Sequence, residues 1–142
     1  MERDQALKFM HDLLRLMSQK NGSDLFITAN FPPAINIDGK VTPVSNQVLT
    51  PQHTAELARS IMNDRQAADF ESSHECNFAI SPSGIGRFRV NALMQQGRVA
   101  VVCRTINMSI PTLDELGLPT VLKDIAMTKR GLVIFVGGTG TG

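Results

Sequence analysis

The sequence contains no tryptophan, no tyrosine and only two cysteines, Cys76 and Cys103. Two cysteines cannot build a disulfide framework and are typical of a protein from a reducing compartment. No stretch approaches the roughly 20 consecutive apolar residues that cross a bilayer, so we expect no membrane insertion. Residues 1–20 are amphipathic and carry acidic side chains, unlike a signal peptide. We therefore expect a cytoplasmic protein.

Charged residues are also scarce, at 19% of the chain, and the formal net charge is only +1. Such a balance gives no broad electrostatic attraction to nucleic acid or to a membrane surface, and we expect neither as a partner. With 142 residues, 42% of them hydrophobic, the chain can form one globular domain. A domain of this size buries about two thirds of the surface of its unfolded chain.

The last twelve residues join an apolar run to a glycine-rich end. Residues 132–136 are continuously apolar, which predicts a strand buried on both faces, as in a parallel sheet. The next six residues match the first six positions of the phosphate-binding pattern G-x-x-x-x-G-K-[ST] and are candidate ATP-binding residues: Gly137, Gly138, Thr139, Gly140, Thr141 and Gly142. The lysine and the Ser or Thr that complete the pattern are not in this sequence. A flexible glycine tail is the alternative interpretation.

The remaining patterns predict an α+β fold, with an antiparallel sheet and helices gathered on one side. Apolar periodicity and caps predict helices near residues 4–20, from Pro51 with Thr50 as N-cap, over 64–71 and around 120–127. Strands are predicted over 24–28, 34–37, 40–44, 76–80, 86–95 and 98–105. The capping-box spacing of Thr112 and Glu115 predicts a further helix start, interrupted by Gly117 and Pro119.

Arg87, Arg89 and Arg104 lie in the last two of these strands. Alternation places Arg87 and Arg89 on one face, and pairing through Gln96-Gly97 makes Arg89 and Arg104 direct cross-strand neighbours. Two adjacent guanidinium groups repel each other unless an anion or a carboxylate lies between them. One interpretation is a clamp for phosphate; the other is a solvated polar face with salt bridges to acids elsewhere.

A metal site is not indicated. His74 and Cys76 lie close together in sequence, but one histidine and one cysteine fall short of the four ligands of a tetrahedral zinc site. We expect this segment to be the loop that enters the next strand.

Six short motifs follow one another along nearly the whole chain. They are residues 22–28 (Gly-Ser-Asp-Leu-Phe-Ile-Thr), 32–33 (Pro-Pro), 38–39 (Asp-Gly), 86–91 (Gly-Arg-Phe-Arg-Val-Asn), 111–113 (Pro-Thr-Leu) and 129–133 (Lys-Arg-Gly-Leu-Val). In this order they resemble the PilT/PilU group of type IV pilus retraction ATPases, a branch of the secretion-type ATPases. Phe26 stands where the main retraction motor usually has histidine. With residues 74–80 and 137–142, it makes the chain more similar to the accessory paralogue of the group.

The resemblance implies three segments. They are a PAS-like amino-terminal domain over residues 1–110, linker helices over 111–130, and the first strand and truncated Walker A loop of a RecA-like ATPase domain over 131–142. It also implies a fragment of a longer ATP hydrolase that uses ATP and Mg²⁺. The fragment alone should be inactive because the later catalytic motifs are missing. Family arginines that reach the nucleotide phosphates fall on Arg89 and Arg104.

The implied function is pilus retraction and twitching motility. The resemblance implies a homo-hexamer at the cytoplasmic side of the inner membrane, at the base of the pilus machine. Its partners would be the main retraction motor and the inner-membrane platform protein. Two alternatives remain open. One is a non-catalytic interaction module that docks on the main motor or the platform; the other is a domain of a related type II secretion or pilus assembly ATPase.

Overall fold

The computed structural model describes residues 1–138. The chain divides into two compact units, Met1–Met108 and a shorter unit that begins at Ser109. The first unit contains the whole sheet and three helices, and the second contains one short helix. Each is described by itself below.

The first unit is built on a six-stranded sheet in which every pair of neighbours is antiparallel, in the order β3-β2-β1-β6-β5-β4. The strands are β1 (Asp24–Ile27), β2 (Ala34–Ile37), β3 (Lys40–Pro43), β4 (Glu75–Ile80), β5 (Phe88–Gln95) and β6 (Arg98–Thr105). The six predicted strands of this unit are confirmed, within a residue or two at their ends. The element order is the predicted α+β order.

Three helices accompany the sheet: α1 (Arg3–Gln19), α2 (Pro51–Ser60) and α3 (Asp64–Ser73). The predicted N-cap of α2 is confirmed, because the Thr50 hydroxyl accepts a hydrogen bond from the backbone N–H of His53 at 3.2 Å. His74 ends α3 in the left-handed conformation and leads directly into β4, as expected for a strand-entry loop. Within the described part of the chain, no helix has the length and apolarity to cross a bilayer.

The core lies between one face of the sheet and the helices. Alternate strand residues point into it and are fully buried, among them Phe88, Val90 and Val101. They pack in one cluster with the apolar face of α1, which includes Met10 and Leu14. The residues between them along each strand point to the other face, where charged and polar side chains are exposed.

Two tight hairpin turns set the register of the sheet. Asp38 and Gly39 both have positive φ, as do Gln96 and Gly97, which is the geometry that two-residue hairpin loops require. The second turn places Arg89 directly opposite Arg104, as the sequence predicted.

The second unit contains α4 (Val121–Ala126), close to the predicted helix. The predicted helix start at Thr112 is wrong. The capping box itself forms, with Thr112 N–H donating to Glu115 Oε2 at 2.7 Å and Glu115 N–H donating to Thr112 Oγ1 at 3.2 Å. The chain makes only a turn there, because Gly117 adopts a φ of 66° and ends it.

The prediction of a strand over residues 132–136 is also wrong, because this segment does not form a strand in the structure. Its apolar side chains are exposed, from 51% at Val133 to 92% at Val136. A continuously apolar strand is stable only when neighbouring strands bond its edges and other elements cover both faces. None of the six described strands pairs with it.

Gly22 joins α1 to β1 at a site with no room for a side chain. A Cβ there would overlap Ile35 Cγ2 and lie 2.9 Å from Met17 Cγ, and both neighbours are fully buried. We expect Gly22→Ala to lower the free energy of unfolding by about 1–3 kcal/mol, the usual effect of overpacking a core. Denaturant unfolding measures it, with Lys20→Ala, an exposed change at the same helix end, as the control. Equal stability of the two variants would contradict the prediction.

Candidate phosphate-contacting site

A row of polar side chains crosses the middle of the sheet on the face away from the core. The strand register places Arg89 of β5 opposite Arg104 of β6, Arg104 opposite Asp24 of β1, and Asp24 opposite Asn36 of β2. Arg104 therefore has a second arginine on one side and an aspartate on the other.

The Arg104–Asp24 pair is a hydrogen-bonded ion pair between one exposed and one buried side chain. Arg104 Nε donates to Asp24 Oδ1 at 2.9 Å, and the Ser23 hydroxyl donates to Asp24 Oδ2 at 2.8 Å. The Asp24 side chain is 10% exposed, whereas that of Arg104 is 70% exposed. Among the described residues, no protein group hydrogen-bonds the terminal Nη atoms of Arg104.

Asp24 keeps its negative charge in this position. Burial of Asp24 raises its pKa, but the hydrogen bonds from Arg104 and Ser23, the positive charge of Arg104 and the Asn36 amide together outweigh burial. The net pKa therefore lies below the ordinary value of 3.8.

The Arg89 side chain is exposed and forms neither a hydrogen bond nor an ion pair with any residue in the described part of the chain. Only one of the two guanidinium groups is therefore paired with a carboxylate, and the row carries a surplus positive charge. Directly opposed residues in a sheet have Cβ atoms only about 4.5–5.5 Å apart, so the two cations repel each other. An anion bound between them would relieve that repulsion and accept hydrogen bonds from both.

The arginines line an open cavity of about 360 Å³, together with Asn77, Asn91 and Val102. Asn91 Nδ2 donates to Asn77 Oδ1 at 2.8 Å and lies 3.3 Å from Glu75 Oε1, so the two amides are fixed in place on the cavity wall. The cavity therefore offers an anion two guanidinium groups beside a polar wall.

The other predicted site residues lie elsewhere. Arg87 precedes β5, is exposed and does not line the cavity. Gly137 and Gly138 follow the unpaired apolar segment of the second unit. Thr139, Gly140, Thr141 and Gly142 lie outside the described residues.

Three residues of the site were not predicted as such: Asp24, Asn77 and Asn91. Asp24 and Arg104 are 80 residues apart in sequence, and local turn signals do not reveal which distant strands pair. The available signal was a lone carboxylate at the start of an otherwise apolar strand, in Asp24-Leu25-Phe26-Ile27.

The lowered pKa of Asp24 predicts a pH-dependent stability. The ionised carboxylate stabilises the fold fully above the ordinary pKa, and its contribution is lost as the pH falls through the lower folded-state pKa. We expect wild type to be more stable than Asp24→Asn at pH 7, with a difference that shrinks from about pH 5 to about pH 2. Urea unfolding at successive pH values measures it.

In an Arg104→Ala background the pH-dependent part should be smaller, since the Arg104 hydrogen bond is the largest of the causes that lower this pKa. A stability difference that stays constant across the range would contradict the assignment.

No protein-family model matches the chain. The chain is similar to the type IV pilus ATPase PilU of Pseudomonas aeruginosa, with 58% identity over 130 residues, which cover 92% of this chain and 34% of that protein. It is 38% identical over 131 residues to the type IV pilus retraction ATPase PilT of the same organism, covering 92% of this chain and 38% of PilT.

The fold is similar to the crystal structure of the pilus retraction motor PilT with bound ADP. The TM-score is 0.75 at 29% sequence identity, over 94% of this chain and 38% of that chain. This likeness confirms the expected α+β fold class. The chain spans about a third of the length of the curated relatives it matches. In sequence and in fold the chain is similar to the PilT/PilU group of type IV pilus ATPases, and it is more similar in sequence to PilU than to PilT.

Proposed function

We propose that the chain is the amino-terminal part of an accessory, PilU-like type IV pilus retraction ATPase, and that Arg89 and Arg104 contact the phosphates of ATP. The observation that carries this proposal is the pair of adjacent, exposed arginines that line an open cavity, of which only Arg104 is paired with a buried carboxylate. The identity of 58% to PilU supports the accessory assignment.

The chemistry of the row fits a phosphate ligand. Each guanidinium group presents N–H donors in a planar fork that matches phosphate oxygens. When bound, ATP supplies a γ-phosphoryl group on which negative charge builds up during transfer to water. Arg89 and Arg104 would stabilise that charge by hydrogen bonds and would link the position of the sheet to the state of the nucleotide.

The proposed segments follow the family pattern: a PAS-like domain over residues 1–110, linker helices over 111–130 and the start of the ATPase domain over 131–142. Gly137, Gly138, Thr139, Gly140, Thr141 and Gly142 would form the first part of the phosphate loop. The Ser or Thr that would hold Mg²⁺ is not in this sequence, so Mg²⁺ binding is proposed for the full-length protein only.

For the full-length protein we propose a cytoplasmic ring of six subunits at the inner-membrane base of the pilus. The amino-terminal domain of one subunit would pack on the ATPase domain of its neighbour and bring the arginines to the neighbour's nucleotide. The proposed partners are the main retraction motor and the platform protein. The sequence similarity to PilU and PilT is what supports these assignments.

A non-catalytic docking module is the second candidate, and the Arg104–Asp24 ion pair favours it. An arginine that only stabilises the fold is expected to form an ion pair with a carboxylate of its own chain, as Arg104 does with Asp24. The unpartnered state of Arg89 within the described chain argues against it, because a purely structural arginine has no reason to sit beside a second cation.

Substitution of the arginines tests the proposal. In the full-length protein, Arg89→Ala and Arg104→Ala should each lower the ATP turnover number by about 10-fold or more, as expected when a donor to transition-state charge is removed. Steady-state hydrolysis measures this, alone and in a mixture with the main motor. Circular dichroism should stay at wild-type values in both variants because both side chains are exposed. The melting temperature should be unchanged in Arg89→Ala and only slightly lower in Arg104→Ala, which removes the ion pair with Asp24.

Arg98→Ala is the matched control. Arg98 is also exposed and lies on the same strand and the same face as Arg104, about 20 Å away at roughly 3.3 Å per residue. It should leave turnover unchanged. Wild-type turnover in both Arg89→Ala and Arg104→Ala would remove the phosphate assignment and leave the docking module.

The fragment itself should be inactive. We expect no ATP hydrolysis by the 142-residue chain with ATP and Mg²⁺, since the lysine, the magnesium ligand and the catalytic base of a P-loop ATPase are not in it. Phosphate release is the measurement, and the full-length protein is the positive control. ATP hydrolysis that persists after further purification of the fragment would contradict the prediction that the fragment is inactive.

A further inference from the structure

We propose that Asp24 is a positioning residue for Arg104: the buried carboxylate holds the guanidinium group by its Nε atom so that the two Nη groups remain directed to a phosphate. This inference rests on the proposed function, in which Arg104 contacts the nucleotide. It adds a residue of β1 to a site whose arginines both come from the β5–β6 hairpin.

The hydrogen-bond geometry separates two roles within one side chain. Arginine has five N–H donors, one on Nε and four on the Nη atoms. Asp24 Oδ1 accepts from Nε at 2.9 Å. No described residue occupies the four Nη donors, and Arg104 lines the cavity beside Arg89. The ion pair therefore fixes Arg104 without using the donors that would bind a ligand.

Asp24 is itself held firmly enough to act as an anchor. Its second oxygen accepts the Ser23 hydroxyl at 2.8 Å. Thr105, next to Arg104 on β6, donates its backbone N–H to the Ser23 carbonyl oxygen at 3.0 Å and its hydroxyl to the Gly22 carbonyl oxygen at 3.1 Å. The carboxylate is thus bound on both oxygens, and its backbone is tied to the strand that carries Arg104.

The pair contributes to stability, but it also restricts the Arg104 side chain. Arg104 is 70% exposed and Asp24 only 10%, so the carboxylate is the fixed partner and the guanidinium group is the one whose position the pair determines. Without Asp24, the long Arg104 side chain would regain its rotamers, and repulsion from Arg89 would favour those that point away. Fixing a flexible donor in its binding geometry lowers the entropy that must be lost when the ligand binds.

A double-mutant cycle in the full-length protein tests the inference. Asp24→Asn should lower the turnover number for ATP by about 3- to 30-fold, which lies within the range of coupling between residues in direct contact, with a much smaller change in KM. In an Arg104→Ala background the same substitution should change turnover by less than about twofold, because the side chain that Asp24 positions is gone.

Asp64→Asn is the matched control. Asp64 accepts a hydrogen bond from Arg59 at the same distance of 2.9 Å, in an exposed pair at the start of α3 and away from the sheet. It should leave turnover at the wild-type value in both backgrounds. If Asp24→Asn does not fold, Ser23→Ala replaces it, since it removes the hydroxyl that donates to Asp24 Oδ2 at 2.8 Å and, at a longer 3.4 Å, to the Asn36 carbonyl oxygen. Its smaller decrease in turnover should likewise vanish without Arg104.

The outcomes distinguish the positioning role of Asp24 from the phosphate contact of Arg104. A decrease that occurs only when Arg104 is present supports the positioning role. An equal decrease in both backgrounds would mean that Asp24 acts through the fold and would overturn it, as would wild-type turnover in Asp24→Asn. Wild-type turnover in Arg104→Ala would instead overturn the proposed contact of Arg104 with phosphate, and the positioning role with it.

Discussion

The pairing of β1 with β6 is the contact on which the rest of the structure depends. It joins two locally formed pieces, the β1–β2–β3 meander and the β4–β5–β6 meander, into one sheet. Each piece alone has three strands and an apolar face that needs covering. The junction spans some 80 residues of sequence and aligns Leu25 with Cys103, both fully buried. The same register sets Asp24 beside Arg104 on the opposite face, so one pairing fixes the core and assembles the site.

The two faces of the sheet carry different side chains, because successive residues of a strand point to opposite faces. In β5, Phe88 and Val90 are fully buried in the core, while Arg89 between them is exposed. A one-residue slip of β5 would exchange its faces, expose Phe88 and Val90 and bury the Arg89 guanidinium group, at a high cost in free energy. The core therefore holds the cations in register despite their repulsion. The surplus charge of the row is maintained by hydrophobic packing on the other side.

Whether a feature of the fold or of the candidate site could be predicted from the sequence depends on how far apart its residues lie along the chain. The Arg89–Arg104 register was predictable, because the Gln96-Gly97 turn fixes it locally. The Asp24–Arg104 pair was not predictable, because no local sequence signal indicates that the first strand pairs with the last. The two wrong predictions have related causes. The Thr112 capping box formed its hydrogen bonds without a helix to follow, and the apolar run at 132–136 had the composition of a strand but no partner among the described strands.

The two arginines are not equivalent, and the difference bears on how such a site could respond to a ligand. Arg104 is tied at Nε to a buried carboxylate, whereas Arg89 has no partner among the described residues. A tethered donor holds a direction whether or not an anion is present, and a free one can move toward or away from it. An anion of high charge would recruit Arg89 by offsetting its repulsion from Arg104; once that charge is lost, the repulsion would return. A clamp of one fixed and one mobile cation is thereby sensitive to the charge between them, which is the quantity that changes when a terminal phosphate is removed.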